Sequence, residues 1–438
     1  MRLARLATIC ATAFALVAAA PAQAVTLVRD ADLEASLGEL ARPILRAAGL
    51  SPARVQVLVI RDGSLNAFVT DSSHIFLHSG LIDRMTTPAM LQAVIAHEAA
   101  HIANGHLTRR PAAMRNAANS AGLGILLAMA AAASGNGRAA GGIALGTASS
   151  ALRSFLSHTR AEEASADQTA VRTLRAAGVD PKGMVEVFEI FRGQEALLEA
   201  RQDPYMRSHP LSSDRLRAMQ AYVAGAGPAP APDAAAIYWH ARVRGKLSAY
   251  LRAPEWTLRN AAKSPAEDIR LMREAVAWQR RSDLARALKA VDGALALRPR
   301  DAYYHDLKAE ILLKAGKFGP AAEAAGRAVA LQPNDAQLLA GQGHALLAAG
   351  RRAEAIRVLE KARTQDYGNA RVLVDLALAY GASGQPGLAA VVTAERYALE
   401  GRLDDAAIHA KRASAVLPRG SGPWQRAQDV LAAAQRSR

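Results

Sequence analysis

Leu297-Arg-Pro299-Arg-Asp301-Ala302 returns 34 residues later as Leu331-Gln-Pro333-Asn-Asp335-Ala336, and Gln365-Asp-Tyr367-Gly-Asn-Ala370 takes the next place. Gly316, Gly350 and Gly384 keep the same interval half a repeat out of phase, with Ser282 in the slot before them. A 34-residue period, with a glycine between two helical stretches and a proline after the second, is the signature of the tetratricopeptide repeat. Each helix pair buries its apolar face only against its neighbours, so stacked pairs make a solenoid whose concave side takes up extended or helical segments. After Gly384 the next glycine, Gly401, comes only 17 residues on, so the phase drifts and the C-terminal end is expected to be a degenerate or capping unit. These features predict a repeat domain over residues 266–438, preceded by connecting helices over 236–265.

Towards the N-terminus the pattern stops at AGAGPAPAPDAA, residues 224–235, a stretch of Ala, Gly and Pro with nothing to pack. A linker is expected over 223–235. Residues 25–222 are mixed. Val55 to Ile60, Ala67 to Val69 and Ile75 to Leu77 read as short strands among helical patterns. The fold class expected for the chain is α+β, mostly helical, with one small sheet.

Composition agrees with that class. The chain of 438 residues is 51% hydrophobic and 21% charged but only 5% aromatic, and Ala and Leu favour helices over strands. The net charge is +15, yet the basic residues are scattered, with no dense Lys/Arg run and no interleaved aromatics, which argues against nucleic acid as a partner. The single cysteine, Cys10, excludes a disulfide framework, a Cys-ligated metal and a catalytic thiol from the body of the chain. Residues 1–24 read as a secretory signal: Arg2 and Arg5, an apolar run from Leu6 to Ala20, then Ala22-Gln23-Ala24 as a small-x-small cleavage site.

The strongest chemical signal is Val94-Ile-Ala-His97-Glu98-Ala-Ala-His101-Ile102. Two histidines four residues apart on a helix share a face and can reach one metal ion. Glu98, beside the first of them, can reach a water there as general base. The flanking residues are apolar, and ionisable groups in an apolar helix are costly without partners. A catalytic zinc site needs a third protein ligand. Glu163 and Asp167, again four apart, suit a ligand and an acceptor that orients a ligand histidine through its other ring nitrogen. On spacing alone that pair equally fits a solvated helix face.

Six short motifs then run in one order: Asn66-Ala67-Phe68; Ile75-Phe-Leu-His78-Ser-Gly80-Leu81-Ile82; AVIAHEAAHIANGH; Arg160-Ala-Glu-Glu163 with Ala166-Asp167; Ala177-Gly178-Val-Asp180-Pro181; and Ser208-His209-Pro210-Leu211 with Arg215. In this order the chain resembles the gluzincin peptidases related to HtpX and the CAAX prenyl proteases, and within them the BepA-like periplasmic branch that carries C-terminal tetratricopeptide repeats. The resemblance spans roughly residues 30–435. It implies a zincin-type metallopeptidase domain over 25–222, with His97, His101 and Glu163 as ligands of one zinc ion and Glu98 as catalytic base. It also implies misfolded or stalled outer-membrane proteins as substrates, and a periplasmic location in a Gram-negative bacterium.

His209 has three open readings: a donor that stabilises the oxyanion, a reversible plug of the open metal position, or a surface-loop histidine held extended by Pro210. Asn66, Ala67 and Phe68 are expected in an edge hairpin that binds substrate as an added strand. Residues 116–137 carry no charge for 22 positions. Their dense apolar part, Ala121 to Ala133, is short for a bilayer span, so 116–150 is expected to be a lid or a peripheral membrane contact. Two function classes remain at this point. One is an exported zinc endopeptidase whose repeats dock substrate or the outer-membrane assembly machinery. The other is a chaperone or adaptor of that assembly with a gated or idle metal site.

Overall fold

The computed structural model describes residues 26–107, 160–198, 201–231 and 233–436. The expected signal segment, residues 1–24, and the expected lid or membrane contact, 116–150, lie outside the described residues.

A short strand β1 (Leu27–Val28) leads into helix α1 (Ala31–Ala47), whose N-terminus is capped by Asp30 accepting from the Leu33 N–H. Leu33, Leu37, Leu40 and Ile44 fall on one stripe of α1 and are buried. Three strands follow: β2 (Gln56–Ile60), β3 (Ala67–Val69) and β4 (His74–His78). The sheet order is β1-β2-β4-β3; β2 and β4 run parallel with Val57 opposite Ile75, and β3 pairs antiparallel to β4 with Phe68 opposite Phe76. The expected hairpin is therefore present, and β3 is an edge strand.

Helix α2 (Ser79–Arg84) precedes α3 (Pro88–Ala103), where Thr87 caps the first turn through the Met90 N–H and Pro88 sits at a position that needs no donor. Every residue of α3 from Met90 to His101 is buried, as an apolar helix must be when other elements pack around it. It packs against α1, against α4 (Arg160–Ala176) and against α5 (Lys182–Phe191). A short helix α6 (Pro204–Ser208) and α7 (Ser213–Ala224) complete this half.

Residues 225–231 form no helix or strand, and the chain then continues as helices. α8 (Ala234–Leu251) and α9 (Pro254–Ala261) lead into paired helices: α10 (Glu267–Arg280) with α11 (Leu284–Leu297), α12 (Ala302–Lys314) with α13 (Phe318–Leu331), α14 (Ala336–Ala348) with α15 (Arg352–Gln365), and α16 (Ala370–Ala382) with α17 (Pro386–Leu399). The repeated residues have visible tasks. Asp301, Asp335 and Asn369 cap the first helix of three successive pairs. Gly316, Gly350 and Gly384 turn the chain between paired helices at φ of 70°, 76° and 68°. Ser282, in the slot one interval earlier, holds φ 58° and is the one non-glycine at positive φ among the described residues.

The change of phase after Gly384 also has a structural counterpart. α17 packs against α18 (Leu403–Val416) and α19 (Gly422–Arg436) as well as α16, so the last helices close the solenoid half a repeat out of step. No helix among the described residues is long and apolar enough to cross a membrane.

The two halves are fastened by buried charges. Arg242 on α8 donates to Asp32 Oδ1 on α1 at 2.6 Å and to both Asp301 oxygens at 2.6 and 2.9 Å. Lys246 Nζ is 2.9 Å from Asp30 Oδ1, and Arg29 reaches Asp366 Oδ2 at 2.6 Å. The solenoid thus curls back to touch the first turn of the N-terminal half.

Candidate metal centre

His97 and His101 lie on the last turns of α3, one turn apart, with their Nε2 atoms 3.1 Å from each other. α4 crosses beside them and presents Glu163, whose carboxylate oxygens lie 3.4 Å from His97 Nε2 and 3.3 Å from His101 Nε2. His209, just after α6, brings Nδ1 to 2.9 Å from Glu163 Oε1 and 3.3 Å from His97 Nε2. One donor atom from each of these four buried side chains lies within 4.8 Å of the others.

The donor set can be tested against a zinc ion. Ligand bonds of about 2.0–2.1 Å in a tetrahedron place donor atoms about 3.3 Å apart. Five of the separations between these side chains run from 2.9 to 3.4 Å, and all four donors lie within 4.8 Å of one another. Imidazole nitrogen with carboxylate oxygen is also the chemistry that zinc accepts. The residues fit the ion.

The surroundings hold these side chains in place. His97 Nδ1 lies 3.2 Å from Asp167 Oδ1. Burial alone would lower the His97 pKa, but the carboxylates of Asp167 and Glu163 push it up to about 10. Burial has the opposite result at His101, pulling it down to about 3 despite the Glu163 hydrogen bond. Glu163 itself is buried, yet the histidines around it hold its carboxyl well below the usual range.

Arg215, in the first turn of α7, ties the cluster together. Its Nε and Nη2 donate to the two oxygens of Asp167 at 2.9 Å each, and Nη1 reaches the Pro210 carbonyl and Glu163 Oε2 at 2.8 Å. One guanidinium therefore fixes α4 and the backbone next to His209 together.

Glu98 stands apart from this lattice. It is fully buried, neither carboxylate oxygen has a hydrogen-bond partner among the described residues, and His209 Nε2 lies 3.5 Å from Oε1. Burial raises its carboxyl above the ordinary glutamate range, against the pull of His209 and His97. A carboxylate left without donors at the edge of a metal site is suited to accept a proton from a molecule that arrives there.

Two contributors were not read from the sequence. His106, in the turn after α3, has Nδ1 2.9 Å from His101 Nδ1. Tyr205 on α6 packs its ring 4.7 Å from that of His209 and 5.0 Å from Phe191, so the histidine leans on an aromatic wall. The edge residues named from sequence, Asn66, Ala67 and Phe68, are all buried. At the adjoining Leu65, the backbone carbonyl is taken by the Tyr205 N–H at 3.1 Å. Ala67 joins the core, and the Phe68 ring stacks on Phe76 at 5.3 Å.

Comparison with known proteins gives an independent view. Residues 28–223 match the model of Peptidase family M48. The chain is 30% identical over 192 residues to a putative beta-barrel assembly-enhancing protease of Vibrio cholerae serotype O1, covering 43% of this chain and 39% of the relative. It is 29% identical over 197 residues to the beta-barrel assembly-enhancing protease of Escherichia coli K12, with the same coverage, and 31% identical over 170 residues to the metalloprotease LoiP of that organism, covering 37% of this chain and 60% of LoiP. The chain thus spans about two fifths of the length of the first of these relatives. Among solved structures it is similar to MamA 41-end from Desulfovibrio magneticus RS-1, at 22% identity and TM-score 0.33 over 37% of this chain and 95% of that one. It is also similar to YrrB, described as a TPR protein with an unusual peptide-binding site, at 18% identity and TM-score 0.32 over 41% and 92%.

Proposed function

Residues 28–223 are a Peptidase family M48 domain, and from that premise we propose that the chain is a zinc-dependent endopeptidase of the periplasm that cleaves misfolded or stalled outer-membrane proteins. The observation that carries the reading is the meeting of His97, His101, Glu163 and His209 around one point, with Glu98 beside them and unpartnered. The envelope setting and the substrate class are supported by the relatives named for β-barrel assembly, and the repeats supply a surface for substrate or assembly partners.

In this reading His97, His101 and Glu163 hold the zinc, and Asp167 orients His97 through Nδ1. Zinc, when bound, supplies Lewis-acid chemistry that polarises a carbonyl and acidifies water. Glu98 takes a proton from the attacking water and returns it to the leaving amine, a task for which its raised pKa suits it. The edge strand β3 orients the substrate backbone by strand addition. Structural zinc sites normally close with four protein ligands and have no use for a neighbouring base, so Glu98 favours catalysis.

His209 favours a gated resting state. Its Nδ1 lies among the ligand atoms while Nε2 faces Glu98, so the same side chain fills the fourth position and covers the base. The same contact supports the alternative reading, a chaperone or adaptor of outer-membrane assembly with a gated or idle metal site.

The test is metal content and casein cleavage of the purified chain beside Glu98→Gln and His209→Ala. We expect one zinc per chain in all three, cleavage by the parent, and a fall of at least about a hundredfold in Glu98→Gln. His209→Ala should cleave faster than the parent. Full cleavage by Glu98→Gln would refute the mechanism, and slower cleavage by His209→Ala would return that residue to oxyanion stabilisation.

A further inference from the structure

The solenoid encloses a cavity of about 400 Å³ where its concave face meets the first turn of α1. The 34-residue interval orders the chemistry of that face. Asp306, Ala340 and Val374 form one row across α12, α14 and α16, and Glu310, His344 and Leu378 form the next. Residues of one helix four apart share a face, and the three helices lie side by side. Each row therefore runs from a carboxylate at the inner end to an aliphatic side chain at the outer end.

The cations at the inner end are already engaged: Arg29, which lines the cavity, is held by Glu34 and Asp366. Asp30 is matched by Lys246 and Glu310 by the Tyr250 hydroxyl at 2.7 Å and Lys314 at 3.3 Å. Asp306 has no Lys or Arg within ion-pair distance among the described residues, although it faces the cavity. Gly341, on the neighbouring helix, keeps room beside it: a Cβ there would lie 3.0 Å from Asp306 Oδ1. Arg371 lines the outer part of the cavity, two helices from Asp306. At the outer end Val374 and Leu378 are 41% and 59% exposed, which is unusual for aliphatic side chains on a shared helix face.

We propose that this groove holds an extended protein segment with a lysine or arginine side chain against Asp306 and Glu310 and apolar side chains over Val374 and Leu378. The spacing follows from the scaffold. Two steps between packed helices of about 8–10 Å each, at about 3.3 Å per extended residue, set the cation and the apolar anchor about five or six residues apart. The basic residue sits next to the first turn of α1 and thus next to the peptidase half. The inference rests on the reading that the repeats engage protein segments, and it adds which segments they select.

The experiment uses the full chain carrying Glu98→Gln, so that probes stay uncut, and fluorescence anisotropy with a labelled peptide blocked at both ends. The peptide carries a lysine near one end and leucines about six residues away. A second peptide has norleucine for the lysine, and a third is the norleucine peptide with a free amino terminus. The lysine peptide should bind at least about tenfold more tightly than its norleucine counterpart, the worth of one charge-assisted contact. Asp306→Asn should erase that difference, and Leu378→Glu should weaken both blocked peptides. Asp306→Asn removes an unpaired charge, so an unchanged circular dichroism spectrum is expected and separates lost recognition from lost fold. Equal binding of the two blocked peptides, discrimination that persists in Asp306→Asn, or no binding at all would overturn the proposal. Preference for the free-amine norleucine peptide would do so too, by assigning the site to chain termini. Casein cleavage by the unmutated chain is read separately, so a failure here leaves the peptidase reading standing.

Discussion

The contact between His106 and His101 is one between two Nδ1 atoms, so one ring must donate and the other accept. If His101 offers Nε2 to a metal, its Nδ1 carries the proton and His106 accepts with Nδ1. An acceptor there fixes the ring and raises the basicity of the ligand nitrogen. His106→Ala should therefore lower zinc affinity by about 10–100-fold, measured by competition with a chelator, with little change in circular dichroism. His106→Asn, which keeps an acceptor, should recover part of the loss; an affinity equal to the parent in His106→Ala would show that the contact does not matter. The residues of the cluster differ in how legible they were. His97, Glu98 and His101 announce themselves because their spacing is local and matches the helix period. Glu163 and Asp167 could be named only beside a resemblance, since acidic pairs four apart are common. His106 escaped because its contact crosses the end of a helix, where no period applies, and Tyr205 because a tyrosine in a short polar stretch resembles any half-buried aromatic.

At the scale of elements, the metal helix depends on how closely α5 can approach it. A Cβ placed on Gly183 would lie 2.4 Å from the Ala89 carbonyl oxygen and 2.6 Å from its carbon, in the first turn of α3. Backbone cannot swing aside as a flexible side chain can, so the helices must separate. Gly183→Ala should cost about 1–3 kcal/mol and lower the melting temperature of the N-terminal half, read by calorimetry as a shift of one transition. An unmoved transition would mean that α5 yields without loss. The elements themselves were largely legible. Short runs rich in β-branched and aromatic residues marked β2, β3 and β4, and the 34-residue interval marked the helix pairs, down to the left-handed turn that Ser282 adopts in place of a glycine. β1 was not, because two residues carry no period. Nor was the parallel pairing of β2 with β4, which depends on β3 turning back along the outer side of β4.

For the whole molecule, the sequence separated the halves but did not say that they close on each other. Asp30, Asp32, Arg242 and Lys246 read as ordinary solvated charges; only the fold shows Asp32, Arg242 and Lys246 buried at the junction, with Asp30 half-buried beside Lys246. That junction makes stability depend on pH through Asp306. Burial in the cavity pushes its carboxyl up to about 8; Lys246 on α8 opposes the shift, while Asp30 before α1, Glu310 on its own helix and Asp335 before α14 add to it. The unfolded carboxyl ionises near pH 4, so between about pH 4 and pH 8 the folded chain binds more protons than the unfolded one, and stability falls as pH rises through that window. Asp306→Asn removes this term. Its advantage over the parent should be near zero at pH 4, grow with pH, and level off above pH 8 at on the order of 2 kcal/mol, kept modest because the carboxyl faces a water-accessible cavity. All four tryptophans, Trp239, Trp256, Trp278 and Trp424, lie in the helical half, so the urea midpoint of their fluorescence reports on this junction and the solenoid behind it. Midpoints for parent and variant that run parallel from pH 4 to pH 9 would show that Asp306 stays ionised in the fold. A gap that opens with pH would show a carboxyl held against its preference, which a bound cation could relieve.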